Sequence, residues 1–511
     1  MASTRRGFIA AALAGLGGGA YWWIQNRESG GGPRRATLPP LVSSTGRVHD
    51  CVLEAKATDW ATAGGAAAKA WTYNGTVPGP EIRVVEGDRL RVTLRNRLEE
   101  PTSIHWHGLP VPFAMDGVPE LTQQAVPPGG TFLYEFTAAR PGTYWYHTHF
   151  GYQLDRGLYG GLIVEPLHES LRYDQEYTLI LDDWLNDPDH PRPDPLAGGM
   201  MMGGDMDMGG MPGGMPGGMR GGMRGGMMGG MGSGPAESAH GGATRVQPVY
   251  DAVIINGRSG DRIPELRARR GDTVRLRLIN AGSATTLAVR VLGHEMQVTH
   301  ADGQAVEPLT TRVAVLGMGE RLDVLVRADH PGVWPITAFA RGGRRVSAVL
   351  RYDGTRGAVP ADAGNDDVSS KDVLRYSQLS GALPGPEGEP DRTYDLELSG
   401  DMMDASRWAI NDREYPRVPA IQVHAGERIR LRVTNMSMVP HPVHLHGHFY
   451  RLLEVNGERL RRPILKDTVT VGHMEEFVAD VVADNPGARW LLHCHNLYHH
   501  LGGMAMELRY V

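Results

Sequence analysis

NGTVPGPEIRVVEGDRLRVTLRN, residues 74–96, returns twice along the chain, as NGRSGDRIPELRARRGDTVRLRLIN over residues 256–280 and NDREYPRVPAIQVHAGERIRLRVTN over residues 411–435. Each copy opens on an Asn-led turn, continues as a short strand, turns at a glycine followed by an acid, and ends in a strand closed by Asn96, Asn280 or Asn435. The turn pairs are Gly87–Asp88, Gly271–Asp272 and Gly426–Glu427, where glycine can take a positive φ between strands. In RLRVTL, TVRLRL and RIRLRV, apolar residues alternate with polar ones, the period of a half-buried strand. Three such copies predict three related β-sandwich units and an all-β chain.

Working outward from the repeats, the units are expected at 45–170, 175–353 and 393–511. The acidic, Gly/Pro-rich stretch 354–392 reads as a linker. A length of 511 residues suits roughly three domains, and 68 glycines with 35 prolines favour many short strands over long helices. Lys plus Arg number 52 against 58 Asp plus Glu, so the chain lacks the positive charge of a nucleic-acid binder and small-molecule or metal chemistry is favoured. A monomer is expected. The first residues, MASTRRGFIAAALAGLGGGAYWWIQN, place Arg5 and Arg6 before Phe8 and an apolar run through Ile24. That is the layout of a twin-arginine export leader, giving a periplasmic or exported protein. No clear small-x-small cleavage site precedes Tyr21–Trp22–Trp23, so an N-terminal membrane tether stays open, and residues 1–44 are read as leader plus linker.

One segment fits no sandwich. Residues 200–231, MMMGGDMDMGGMPGGMPGGMRGGMRGGMMGGM, hold twelve of the 23 methionines: Met200, Met201, Met202, Met206, Met208, Met211, Met215, Met219, Met223, Met227, Met228 and Met231. Spaced by Gly and Pro, they cannot build a packed core or a stable helix. Thioethers select Cu(I) and stay unprotonated, so the insertion reads as a cuprous-ion binding segment rather than a spacer.

With 21 histidines in the chain, random placement gives about one pair two residues apart. There are five such pairs: His105/His107, His147/His149, His444/His446, His446/His448 and His493/His495. On a strand, alternate residues share a face about 7 Å apart, so each pair can offer two imidazoles to one cluster. Trp106, Thr148, Leu445 and Cys494 should then face away. Cys494 is one of only two cysteines; Cys51 is expected as a small core residue, since a disulfide would consume both. Cys494, His499, Met504 and His441 supply a thiolate, two imidazoles and a thioether, the ligand set of a blue-copper electron-transfer centre, and zinc rarely recruits methionine. The remaining eight imidazoles divide as two, three and three. That suits a three-copper cluster able to pass four electrons to O₂, wired to Cys494 through its flanking histidines.

IHWHG, YWYHTH, HPVHLHGH and HCHNLYHHLGGM resemble the four copper-binding motifs of the multicopper oxidases in order, spacing and position, and the likeness spans residues 45–511. The resemblance implies three cupredoxin-like Greek-key β-sandwich domains with a methionine-rich insertion, and four copper ions. It implies His441, Cys494, His499 and Met504 for type 1 copper and His105 and His444 for type 2. It implies His107, His147, His149, His446, His493 and His495 for the type 3 pair. His448 and His500 fall outside that pattern, as neighbours of the site or surface residues. Asp116, eleven after His105, matches the acid that assists protons at the cluster, whereas His500 stands where a glutamate is expected. Met436 and Met438, upstream of His441, are further Cu(I) candidates, with Ser437 where an aspartate is expected. The expected activity is oxidation of Cu(I), or of small phenolic and aromatic reductants, with O₂ as acceptor and a role in copper tolerance. A broad laccase and a non-catalytic copper-storage protein are the alternatives.

Overall fold

The three repeats fold alike, each splitting between the two layers of a sandwich. The computed structural model describes residues 44–62, 67–195, 245–340, 343–360, 371–382, 384, 388–401 and 404–511; the expected leader and the methionine insertion 200–231 lie outside them. In the first repeat Gly79–Val85 pairs in parallel with Tyr159–Glu165, while Arg89–Asn96 pairs in parallel with Val48–Trp60 in the other sheet. The second does the same with Glu265–Ala268 against Arg345–Tyr352 and Thr273–Asn280 against Gln175–Trp184. The third does so with Ile421–Val423 against Ala505–Tyr510 and Arg428–Asn435 against Arg392–Asp401. The six sheets have four and four, six and five, and six and five strands. They form three cupredoxin-like β-sandwiches, as the repeats predict.

The repeated polar residues each do the same work three times. Asn74, Asn256 and Asn411 take positive φ values of 57°, 49° and 50°. Their side-chain oxygens accept from Glu54, Ile180 and Glu397 N at 2.7 Å, tying the turn to the neighbouring strand. The turn acids accept from the backbone three residues back: Asp88 from Val85 N, Asp272 from Arg269 N and Glu427 from His424 N. Each of the preceding glycines takes a φ between 81° and 96°. The closing asparagines are fully buried. Asn280 Nδ2 donates to Thr285 O at 3.0 Å and Leu316 O at 2.9 Å while its Oδ1 accepts from Gly282 N at 3.0 Å. Asn96 and Asn435 repeat this arrangement.

The middle repeat departs from simple alternation. Arg275 and Arg277 are buried along with their apolar neighbours, because that face is an interface between units. Arg275 donates to Asp323 at 2.6 Å, and Arg277 donates to Asp323 at 3.2 Å and to Thr143 of the first unit at 2.8 Å. Described residues of the 354–392 stretch also pack down. Val373 bridges to Val313, and Tyr376 donates to Glu320. Cys51 is half-buried against the first core rather than enclosed in it, and both cysteines are free thiols. Cys51 shares the inward face of its strand with buried Leu53 and Ala55, but lies before the stretch Ala55–Trp60 that pairs with Ala68–Tyr73.

Replacing Asn280 by Ala strips two buried carbonyls and one amide of their partner at once. The expected loss is about 2 kcal/mol or more, read as a lower denaturant midpoint with unchanged m-value; an unshifted midpoint would show that the asparagine clasp carries no stability.

Candidate metal centres

The histidine motifs come from two sheets that face one another across the first and third units. His105–His107 pairs with Gly142–His147 so that His105 sits opposite His147. His441–Leu445 pairs with Arg489–Cys494 so that His444 sits opposite His493 and Val443 opposite Cys494. As the strand period requires, Trp106 turns away, packing against Tyr134, Phe136 and Tyr146 at 5.0–5.9 Å between ring centres. The pairs are not wholly on strands, however. His149, His446, His448 and His495 lie past the strand ends. After His495 the chain turns into the helix Leu497–Leu501, which Asn496 caps by accepting from Tyr498 and His499 N. This turn brings His499 and His500 back beside the strand.

Ligand atoms within 4.8 Å of one another form the groups His105–His107–His444, His107–His147–His495, His149–His446–His493 and His441–Cys494–His499. All eight cluster histidines are buried. Their free nitrogens are set by hydrogen bonds on the other side of each ring. Nδ1 of His105, His147, His444 and His493 donates to the carbonyls of Asp116, Thr148, Asp467 and Cys494 at 2.7–2.9 Å. His446 Nδ1 lies 2.9 Å from Asp116 Oδ2. Each Nε2 therefore carries a lone pair. His444 and His105 aim theirs at each other across 3.4 Å, and His446 and His493 across 3.1 Å. His107 Nδ1, His147 Nε2 and both nitrogens of His495 are buried without a hydrogen-bond partner. Opposed lone pairs and unpartnered nitrogens in a buried site are costly, and bound cations would satisfy them; imidazole clusters of this kind suit copper.

Burial drives the electrostatics. It holds the imidazoles of His107, His147, His446, His493, His495 and His499 well below the usual histidine range, with neighbouring histidines adding to the effect, and His441 at about 3. The rings are thus neutral and ready to ligate. Burial also pushes the Cys494 thiol up, so a metal bound there would have to displace its proton. Cys494 Sγ lies 3.5 Å from Nδ1 of both His441 and His499, themselves 2.9 Å apart. Ser437 Oγ, which donates to Val439 O, sits 2.6 Å from His441 Nε2 and leaves Nδ1 for a metal. Met504 is buried in the same core cluster as Cys494, and its carbonyl accepts from Cys494 N at 3.0 Å.

Other predicted residues fall as follows. Asp116 is buried between His105 and His446. Met436 and Met438, 48% and 50% exposed, flank buried Ser437 at the surface. The methionines of 200–231 lie outside the described residues. Neither His448 nor His500 is on the surface. His448 bonds to Tyr510 OH at 2.7 Å, and the His500 ring is 4.4 Å from that of His493.

Sequence reasoning misses Asp467, Arg321 and Trp408. Asp467 lies 3.1 Å from His107 Nε2 and receives both Nη atoms of Arg321 at 2.7 and 2.5 Å. Burial opposes its ionisation, but the Arg321 guanidinium outweighs that and holds the carboxyl well below the usual range. Gly108 of IHWHG is needed there: its φ is +82°, and a Cβ would meet Arg321 and Asp467 at 2.4 Å. Trp408 lies over His499 at 3.8 Å between ring centres. The signal for Asp467 was a Lys–Asp pair inside the otherwise apolar PILKDTVTV; Trp408 left none.

Multicopper oxidase family models match residues 54–169, 233–355 and 389–511. Multicopper oxidase MmcO of Mycobacterium tuberculosis is 34% identical over 88% of this chain and 84% of its own length. The chain belongs to the multicopper oxidase family. Copper resistance protein A of Escherichia coli is 27% identical over 99% of both chains. Among solved structures, a multi-copper oxidase from Pseudomonas thermotolerans superposes with a TM-score of 0.67 at 27% identity, covering 91% of this chain and 99% of that one. Fet3p, a multicopper oxidase that functions in iron import, shares the fold with a TM-score of 0.73 at 24% identity, over 91% and 90% of the two chains. As a multicopper oxidase, the protein is a copper-containing oxidoreductase that uses O₂. Among the described residues no helix is long and apolar enough to cross a membrane.

A pH dependence follows. In the unfolded chain the buried imidazoles regain a pKa near about 6.5, whereas in the fold they remain neutral. The unfolded state therefore binds more protons as pH falls, so stability is full above about 6.5 and declines below it. Metal-free protein should lose melting temperature steadily as pH falls from about 6.5 to about 5; a constant midpoint over that interval would mean that the rings take up protons as readily in the fold as in the unfolded chain.

Proposed function

We propose that the protein is a four-copper oxidase that takes single electrons at Cys494 and delivers four of them to O₂ within the histidine cluster, serving copper tolerance. Copper bound in these sites supplies one-electron oxidation of the donor and four-electron reduction of O₂ to water. His441, Cys494, His499 and Met504 would hold the type 1 ion, and His105 and His444 the type 2 ion. The triads His107–His147–His495 and His149–His446–His493 would each hold one type 3 ion. The observation that carries the reading is the sequence His493–Cys494–His495. Its thiol belongs to one donor group while its two flanking imidazoles belong to another. The His493 Nδ1 bond to Cys494 O at 2.9 Å adds a second link beside the covalent path between them. Asp116, touching His105 and His446, is placed to hold a proton beside the cluster.

Cu(I) is favoured over phenols as donor. His441 and His499 are 0% and 2% exposed, and Trp408 covers the His499 ring, leaving no imidazole edge for a bulky aromatic ring to meet. Ser437 instead links His441 to the surface, between the exposed thioethers of Met436 and Met438, which select Cu(I). The methionines of 200–231 would collect the same ion.

Cys494→Ser should abolish the intense blue absorption and donor oxidation together while three of four coppers remain; turnover persisting without the band would place electron entry elsewhere. Oxygen uptake should fall several-fold with Cu(I), but not with a phenol, when residues 200–231 are deleted or Met436 and Met438 are both changed to Ser. Intact cuprous turnover with faster phenol oxidation after the deletion would make the insertion a lid. No uptake with any donor in fully metallated protein would leave storage as the function.

A further inference from the structure

Reduction of one O₂ to two waters consumes four protons as well as four electrons. The acid expected beside the cluster at position 500 is a histidine in this chain, so Asp116 alone does not account for both sides of the site. Two cavities, neither lined by Asp116, lie by the second histidine motif and the helix Leu497–Leu501. One, of about 20 Å³, is lined by His147, His149, His493, His495 and His500, the size of one water molecule. The other, of about 340 Å³, is lined by Trp71, Tyr152, Asp155, Arg156, Arg245 and Tyr498. Gly151 borders both.

Asp155 sits on the turn Gln153–Arg156, just after the second histidine motif, and is 5% exposed. Its carboxylate accepts from Tyr250 OH at 2.8 Å and from Tyr498 OH. Tyr498 lies on the helix between His495 and His499, so Asp155 is coupled to the segment that bears these histidines. We propose that Asp155 supplies protons to the cluster, drawing them from solvent through the larger cavity and passing them through the smaller one, beside His500, to the oxygen being reduced. The carboxyl gives up a proton and the carboxylate regains one from solvent, so Asp155 is unchanged per turn; the electrons come from the donor by way of Cys494. This rests on the oxidase reading above.

The groups facing Asp155 are Tyr498 from the helix, Tyr250 from the segment before Ala252–Ile255, and Ser283. Asp183 of the strand Gln175–Trp184 also faces it, with Asp182 beside it. Tyr152, whose phenol burial and the Asp155 carboxylate push up, Arg344, which donates to Tyr250 O at 2.8 Å, and Arg156 of its own turn also surround it. Burial, with the Asp183 carboxylate adding to it, pushes Asp155 up to about 6. A proton donor of that strength suits turnover near neutrality.

The test uses copper-loaded full-length protein. Asp155→Asn should keep its copper content and blue band, and the donor should bleach that band without O₂ at the wild-type rate. Reoxidation of the fully reduced protein by O₂ should slow about tenfold or more and become more sensitive to D₂O. The kcat profile should lose its decline above about pH 6, and Asp155→Glu should restore rate and profile. An Asn variant that reoxidises at the wild-type rate with an unchanged profile overturns the proposal. If that variant fails to load copper, Tyr498→Phe decides: losing a donor to the carboxylate should move the kcat decline to higher pH, and an unmoved profile overturns the proposal. Wild-type protein that consumes no O₂ would instead overturn the oxidase reading itself.

Discussion

The site depends on one buried ion pair. Arg321, from the middle unit, grips Asp467 of the third unit with both terminal nitrogens and donates through Nε to Thr143 O of the first at 3.1 Å. Both side chains are wholly buried. An ionic pair in that position is tolerated only if fully partnered, and removing one member costs about 3–5 kcal/mol. Here the partners are complete. Asp467 also meets His107 and Thr468, its carbonyl fixes His444, and Lys466 next to it is paired with Asp302 at 3.0 Å and Glu320 at 2.9 Å. The same charges that lock three units together thus orient two imidazoles contributed by different units. Rings that must converge from separate domains need such a clamp, because a shift of a fraction of an ångström would separate their nitrogens.

Much of this was legible in the sequence because it is periodic. The repeats announce themselves by Asn74, Asn256 and Asn411, whose left-handed turns and side-chain clasps recur in each sandwich, and the histidine pairs follow strand spacing. What was hidden is what has no local period. Asp467 and Arg321 act through neighbours more than a hundred residues away and Trp408 through His499, 91 residues on, and Asp155 is an acid in an unremarkable turn until the fold sets Tyr498 and Tyr250 against it. Periodicity also oversimplifies: the alternation in TVRLRL reads as a half-buried strand, yet Arg275 and Arg277 prove to be buried at an interface, and four of the nine paired histidines sit just past the strands that aim them.

The two ends of the proposed electron path have different surroundings. Around Cys494 the walls are apolar and close, with Trp408, Met504 and neighbouring core residues excluding water. Around the histidine cluster polar and apolar walls mix: Asp116 and Asp467 bond to its rings, while Trp145 packs on His147 and Leu154, Leu497 and Leu501 line the small cavity beside it. A site that only accepts electrons gains from a dry, rigid shell, which limits reorganisation. A site that makes water has to exchange protons with solvent, and this difference is built into which sheet face each ligand occupies.

The cluster divides evenly along the chain: four of its imidazoles lie between His105 and His149 and four between His444 and His495. Domains fold as units, N-terminal first, during synthesis. The opening sandwich can therefore be complete, displaying an imidazole half-basin, long before the closing sandwich exists to cover it. Until the segment bearing His493 and His495 is made, only part of the donor set exists. The full set of imidazoles is therefore assembled only when the first and third sandwiches come together.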